Sequence, residues 1–113
     1  MSKASQPNRA IVTVDDSGTI ICTPDPLPAI GHNVELMFVL QTDGYVFPQN
    51  DAIAPDQPSP EFPTPSRTVP PNNTTALLFD RNSGPGSFPY TVTVRRVATG
   101  EVLQRDPTIN NGP

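Results

Sequence analysis

Cysteine, histidine and lysine each occur once in this chain of 113 residues. A single cysteine, Cys22, excludes an internal disulfide and fits a reducing compartment. A single histidine, His32, leaves any Cys–His or Ser–His pair with one base to draw on. It sits in Gly31-His32-Asn33, a loop entry, and reads as a partly exposed turn residue. Basic residues are few: one lysine and six arginines, for a net charge of −4. Backbone recognition of DNA or RNA calls for a basic face. The only adjacent basic pair, Arg95–Arg96, reads as a solvated strand end, so nucleic acid is not expected as a partner. No stretch approaches the run of about 18 apolar residues that spans a bilayer. The opening MSKASQPNRA has no apolar core of a signal peptide. The expectation is a soluble, cytoplasmic protein. Glycine-rich phosphate loops and the Asp-x-Asp-x-Asp-Gly calcium loop are missing too. Asp25, Asp43, Asp51 and Asp56 fall in loops that could line one end of a domain and offer oxygens to calcium. Without that loop pattern no metal and no cofactor is expected.

What the chain has is proline, 16 residues of it, against a hydrophobic content of 35%. Proline is excluded from helix interiors and central strands. Its abundance predicts short strands joined by stiff connections. The clearest strand is Ser87–Arg96, SFPYTVTVRR. Tyr90, Val92 and Val94 share one face, and Thr91, Thr93 and Arg95 share the other, a period of two that marks a half-buried strand. Ala10–Val14 and Thr19–Cys22 flank the turn residues Asp15–Gly18 and predict a hairpin. Val34–Gln41 is the most apolar run and predicts a central strand. Shorter strands are expected at 45–47, 52–54, 74–79 and 101–104. Thr23–Pro28 reads as a rigid connection outside any ladder, residues 55–71 as a long proline-rich loop, and residues 105–113 as a tail. The domain reading is a flexible segment over 1–9 and one sandwich domain over 10–113. The fold class is all-β: an antiparallel Greek-key β-sandwich of about seven or eight short strands.

The entry GSFPYTVTV to a penultimate strand, followed by a turn and a short last strand, resembles cupredoxin-like and immunoglobulin-like sandwiches. More narrowly, TPDPLP, the block FVLQTDGYVF and the closing RDPTINNGP are similar to the small bacterial proteins called the DP-EP family. That resemblance implies a cupredoxin-like fold with no established activity. A type-1 copper site needs two histidines, a thiolate and a weak axial ligand. In cupredoxins the cysteine ends the penultimate strand, near Val94 or Arg95 here. Cys22 lies in an early strand instead, and no second histidine follows, so no copper site is expected.

Two features point to function. Thr13–Ile20, TVDDSGTI, contains Asp16-Ser17-Gly18 after a hydrophobic strand, as aspartic proteases do. Paired across a homodimer, Asp16 would be the catalytic carboxylate, with two such aspartates sharing a proton. The apolar-apolar-glycine strand that completes the protease pattern is missing, and Asp-Ser-Gly is ordinary turn chemistry. The second feature is the segment Pro58–Pro65. Its prolines favour polyproline II geometry, with Phe62, Pro63 and Pro65 as the residues offered to a protein partner. The reading preferred is a non-enzymatic binding or assembly module. It would meet a protein partner or a second copy through a strand edge or the proline-rich loop. The alternative is the dimeric acid protease.

Overall fold

The computed structural model describes residues 7–112, and among these the chain forms eleven strands and no helix. In chain order they are β1 Arg9–Val14, β2 Ile20–Thr23, β3 Leu27–Ala29, β4 Val34–Leu40, β5 Tyr45–Val46, β6 Ile53–Pro55, β7 Arg67–Thr68, β8 Thr75–Asp80, β9 Gly86–Arg96, β10 Val102–Arg105 and β11 Thr108–Asn111. One sheet runs β2-β1-β4-β8-β7, the other β10-β9-β11-β3, and β5 and β6 pair with the remaining edge of β9. The all-β sandwich expected from the sequence is the architecture found. No helix among the described residues is long and apolar enough to cross a membrane.

Alternation sets the core. Ala10, Val12 and Val14 of β1, Leu36, Phe38 and Leu40 of β4, and Ala76 and Leu78 of β8 turn inward from one sheet. Tyr90, Val92 and Val94 of β9 and Ile109 of β11 turn inward from the other. The facing of β9 is as its period of two predicts, with Arg95 exposed. Burying β-branched and aromatic side chains on both inner faces is the main term holding the two layers together.

Three strands lie where none was expected, which raises the count above seven or eight. Residues 105–113 contain β11, an interior strand rather than a tail. It extends the β9–β10 pairing without a change of register, from Arg95 opposite Val102 to Gly86 opposite Asn111. The ladder breaks only at Asp106-Pro107, and even there Tyr90 N–H donates to the Pro107 carbonyl at 2.9 Å. The connection Thr23–Pro28 runs into β3, which pairs with β11. Pro28 is tolerated because β3 is an edge strand, where its missing N–H has no ladder partner to lose. The proline-rich loop contains β7, which pairs with β8. It is tied down by two side-chain bonds: Ile53 N–H to Ser66 Oγ at 3.2 Å and Thr68 Oγ1 to the Pro48 carbonyl at 2.6 Å. The sheets are also mixed rather than wholly antiparallel, since β1 runs parallel to β4 and β11 parallel to β3.

Of the segment 1–9 expected to be loose, residues 1–6 lie outside the described residues. Arg9 opens β1. Asn8 uses its amide as a strand partner would: Oδ1 accepts from Ile30 N–H at 2.7 Å and Nδ2 donates to the Ile30 carbonyl at 3.0 Å.

Candidate interaction site

The motif that suggested a protease is the β1–β2 hairpin turn. Its fixed carboxylate is Asp15, not Asp16. Oδ1 of Asp15 accepts from the Ser17 N–H, the Ser17 hydroxyl and the Thr19 N–H, at 2.9, 2.7 and 2.9 Å. These bonds, that from Thr19 foremost and then Ser17, hold the Asp15 carboxyl below its ordinary range. Asp16 is exposed on the turn.

The other chemistry-bearing side chains are dispersed. His32 is exposed and its Nδ1 lies 2.6 Å from the Asn82 carbonyl, which fixes Nδ1 as the donor. Cys22 is half-buried on edge strand β2; burial, and then the nearby Asp25, push its thiol up to about 11. Asp25 accepts from the Thr108 N–H at 3.0 Å and so pins the start of β11. Asp56 and Asp106 flank one hydroxyl, with Oδ1 atoms 2.7 and 2.8 Å from Thr91 Oγ1. That hydroxyl has one proton to give. Asp106 was hidden as a partner of Asp56 because its segment read as a tail. Among the described residues no three of His, Cys, Asp and Glu converge as a metal-ligand set.

The proline-rich loop does meet the body of the protein in a shaped place. Phe62 is half-buried and turns back on Phe88, with ring centroids 5.3 Å apart and planes at 84°. This edge-to-face contact suits the ring quadrupoles. The Phe88 ring in turn lies over Gly86, where an added Cβ would meet ring atoms at 3.0 Å. Any other residue there would press on the ring and make it shift. Phe62 is therefore a buttress, while Pro63 and Pro65 beyond it are exposed. In front of this stack runs a groove of about 290 Å³, walled by Gln57–Pro60 on one side and Ser87–Pro89 on the other. No charged side chain lines it.

The groove exists because a ladder stops. Antiparallel strands send backbone groups to alternate sides. Tyr90 bonds toward the β11 side, so Phe88 and Gly86 do the same, and Ser87 and Pro89 face the other way. There Asp56 N–H donates to the Pro89 carbonyl at 2.9 Å, the last rung of the β6–β9 pairing. The next rung would set Ser87 against residue 58. That residue is Pro58, which has no N–H and leads the chain away through Pro60. No turn or loop hydrogen bond among the described residues uses the Ser87 backbone. Its N–H and C=O face the groove. Ile30 offers the contrast: beside it lies a hollow of about 150 Å³, and its own N–H and C=O are already bonded to Asn8.

Nothing in the sequence marked Ser87 as special. Its position depends on the β6–β9 register, which joins residues more than thirty apart. The comparisons add no assignment: no protein-family model and no curated protein matches this chain.

Proposed function

We propose that this protein is a non-catalytic protein-binding module that takes an extended, uncharged segment of a partner protein into the groove between Gln57–Pro60 and Ser87–Pro89. The observation that carries the proposal is the open rung at Ser87. A backbone N–H and C=O set side by side are complementary to another main chain, by strand addition. The walls choose the side chains: proline rings and the Phe88 ring favour a proline or another compact apolar residue and give a charged one no partner. Phe62 backs the Phe88 wall, and Pro63 and Pro65 extend the exposed rim.

Other edges suit strand addition less. Edge strand β10 is four residues long; beside an exposed Val102 it carries the exposed Gln104 and Arg105, and Glu101 precedes it, polar groups of the kind that discourage pairing. Edge strand β2 is four residues long and is followed at once by Pro24. The likeness to the DP-EP proteins, with its cupredoxin-like or immunoglobulin-like arrangement, belongs to the same proposal and is supported by the two-sheet architecture. So does a cytoplasmic setting, which the lone unpaired thiol supports.

The test is titration of the ¹⁵N-labelled protein with short extended peptides, proline-bearing and charged, followed by amide shifts. Binding of the uncharged peptides, with shifts centred on Gln57, Ser59, Ser87 and Phe88, supports the site. Ser87→Pro removes the groove-facing N–H, together with one exposed side-chain bond, Ser87 Oγ to Asn110 Oδ1 at 2.8 Å, and should abolish those shifts while the fold persists; Ser87→Ala, which loses only that side-chain bond, should keep them. Shifts centred elsewhere, no response, or equal binding by Ser87→Pro would overturn the proposal. Sedimentation velocity of the protein alone shows whether a second copy is the occupant.

A further inference from the structure

A buried polar knot joins the two sheets at the end of the sandwich where β8 and β11 finish. Asp80 closes β8 in one sheet and is fully buried, and Asn111 closes β11 in the other and is almost so. Their side chains meet across the interior: Asn111 Nδ2 donates to Asp80 Oδ1 at 3.0 Å. The same Oδ1 accepts from the Asn82 N–H at 2.8 Å. One atom of each planar group is then left over, Oδ2 of Asp80 and Oδ1 of Asn111. Both are buried and neither has a partner. Two orphan acceptors, one on each member of an already bonded acid–amide pair, share one deficiency: both lack a hydrogen.

We propose that Asp80 keeps its proton in the folded protein and gives it from Oδ2 to Oδ1 of Asn111, closing a two-bond ring that latches β8 to β11 and opens when the proton is lost. A carboxylic acid and a primary amide match in this way, each supplying one donor and one acceptor. Ionisation would turn the second bond into a carboxylate oxygen set against an amide oxygen, in a place where water does not screen it.

The surroundings favour the neutral acid. Burial, the largest influence, raises the Asp80 carboxyl above its ordinary value. The bonds from Asn82 and Asn111 oppose this, and the carboxylate of Glu61 on the proline-rich loop adds to it. Glu61 is itself held by Ser83, whose N–H and hydroxyl donate to it at 3.1 and 2.9 Å. On the facing strand β4, Asp80 stands opposite Val34, which is uncharged. Neither β11 nor β3 carries a charged residue. His32 touches the knot only through the Asn82 carbonyl, and the side chain of Arg81, next in the chain, belongs to an exposed residue. Among the described residues no salt bridge reaches Asp80 and no cation is among the groups that shift it.

A rigid clamp surrounds the latch. Asn82, at φ 47°, donates the two hydrogens of Nδ2 among three carbonyls, those of Gly31 and Gly112 at 2.8 and 2.9 Å and the more distant Ala29 at 3.2 Å, and accepts from the Gly112 N–H. Gly112 stays held when the latch opens, so the change is confined to the β8–β11 contact. Asn111 lies opposite Gly86, on the strand that backs the start of β9.

The experiment follows the Asp80 carboxyl carbon by NMR across the pH range, together with unfolding constants of wild type and Asp80→Asn. A group whose folded pKa is raised adds stability that is complete below its unfolded value, near 3.8, and is lost as pH climbs through the folded one. The ratio of the wild-type unfolding constant to that of Asp80→Asn should therefore rise with pH above about 3.8, by up to about tenfold per unit, until Asp80 has ionised. The asparagine offers a permanent donor to Asn111 and has no proton to lose. Over the same interval the Asn111 side-chain amide protons should pass from slow to fast exchange with solvent. A carboxyl that titrates at or below 3.8, or a ratio that does not change with pH, would overturn the latch. The NMR measurement needs only the wild-type chain, so it decides even if the variant fails to fold.

Discussion

Phe38, at the centre of one sheet, meets Tyr90, at the centre of the other, with ring centroids 5.5 Å apart and planes tilted by 58°. Both are fully buried. Phe38 lies on β4, between β1 and β8; Tyr90 lies on β9, opposite Pro55 of β6. The contact therefore joins the two most heavily paired strands. A tilted pair at this distance contributes about 0.5–1.5 kcal/mol beyond its burial.

Truncation at this point should be costly and should depend on facing. Tyr90→Ala is expected to lose about 3–5 kcal/mol of stability by denaturant unfolding. Arg95→Ala, on the opposite face of β9, should change it by less than about 0.5 kcal/mol. Tyr90→Phe separates packing from polarity. The Tyr90 hydroxyl is buried and makes no conventional hydrogen bond; its polar neighbour is the Cys22 thiol. Removing an unpartnered buried hydroxyl should raise stability by about 1 kcal/mol. A loss of that size would show that the thiol is a real partner.

The turn aspartates should differ in the same way. Asp15 holds the hairpin by three bonds, and Asp16 is the exposed neighbour. A carboxyl held low by its bonds adds stability that is complete above the ordinary value near 3.8 and is lost as pH falls through the lowered folded value. Asp15→Ala should therefore destabilise the protein at pH 7 and flatten the acid end of its stability profile. Asp16→Asn should leave both unchanged. Incubated with an unfolded protein at about pH 4–5, where a shared-proton aspartate pair would be active, wild type and Asp16→Asn should behave alike. Cleavage by wild type alone would restore the protease reading.

The strands with strong period-two patterning were legible before the structure, because Tyr90, Val92 and Val94 or Leu36, Phe38 and Leu40 announce a buried face by themselves. β11 was not. Only Ile109 within it is a large apolar residue, and the strand is held by a register inherited from β10 across Asp106-Pro107. β3 was masked by Pro28, since a proline argues against a strand unless the strand is known to lie at an edge, and the two-residue β7 was masked by the prolines on either side of it, Pro65 and Pro70. The proline-rich loop was visible as the place to look, but Phe62, read there as a residue offered to a partner, turns back on Phe88 instead. The open rung at Ser87 was invisible, as was the meeting of Asp80 with Asn111. Each depends on which residues face one another across two sheets, and no local pattern encodes that.

Cys22 offers a check on how tightly the sheets close at their β2 edge. Burial first, then the charge of Asp25, raise its thiol to about 11. At pH 8 the thiolate fraction is then about a hundredfold below that of an ordinary cysteine, and alkylation should slow in proportion. The rate should still be climbing at about pH 10, where a free thiol has levelled off. A rate at pH 8 equal to that of the unfolded chain would mean that the β2 edge opens readily.

Phe62 and Phe88 connect the loop to the body, so their coupling should be measurable. Each ring alone supports the other, and the pair stands behind the groove wall. In a double-mutant cycle, Phe62→Ala and Phe88→Ala should show a coupling of about 0.5–1.5 kcal/mol. Half-buried Phe62→Ala alone should cost less than Tyr90→Ala and should act locally, with faster amide exchange and proteolysis over 57–65 and little change in β4 or β9. If the groove is the binding site, Phe62→Ala should weaken peptide binding through a loosened wall, although Phe62 does not line the groove. Pro63→Ala touches only the rim and should weaken it less. Binding that falls for Pro63→Ala but not for Phe62→Ala would move the contact from the groove to the exposed proline ridge, the role first suggested by its sequence.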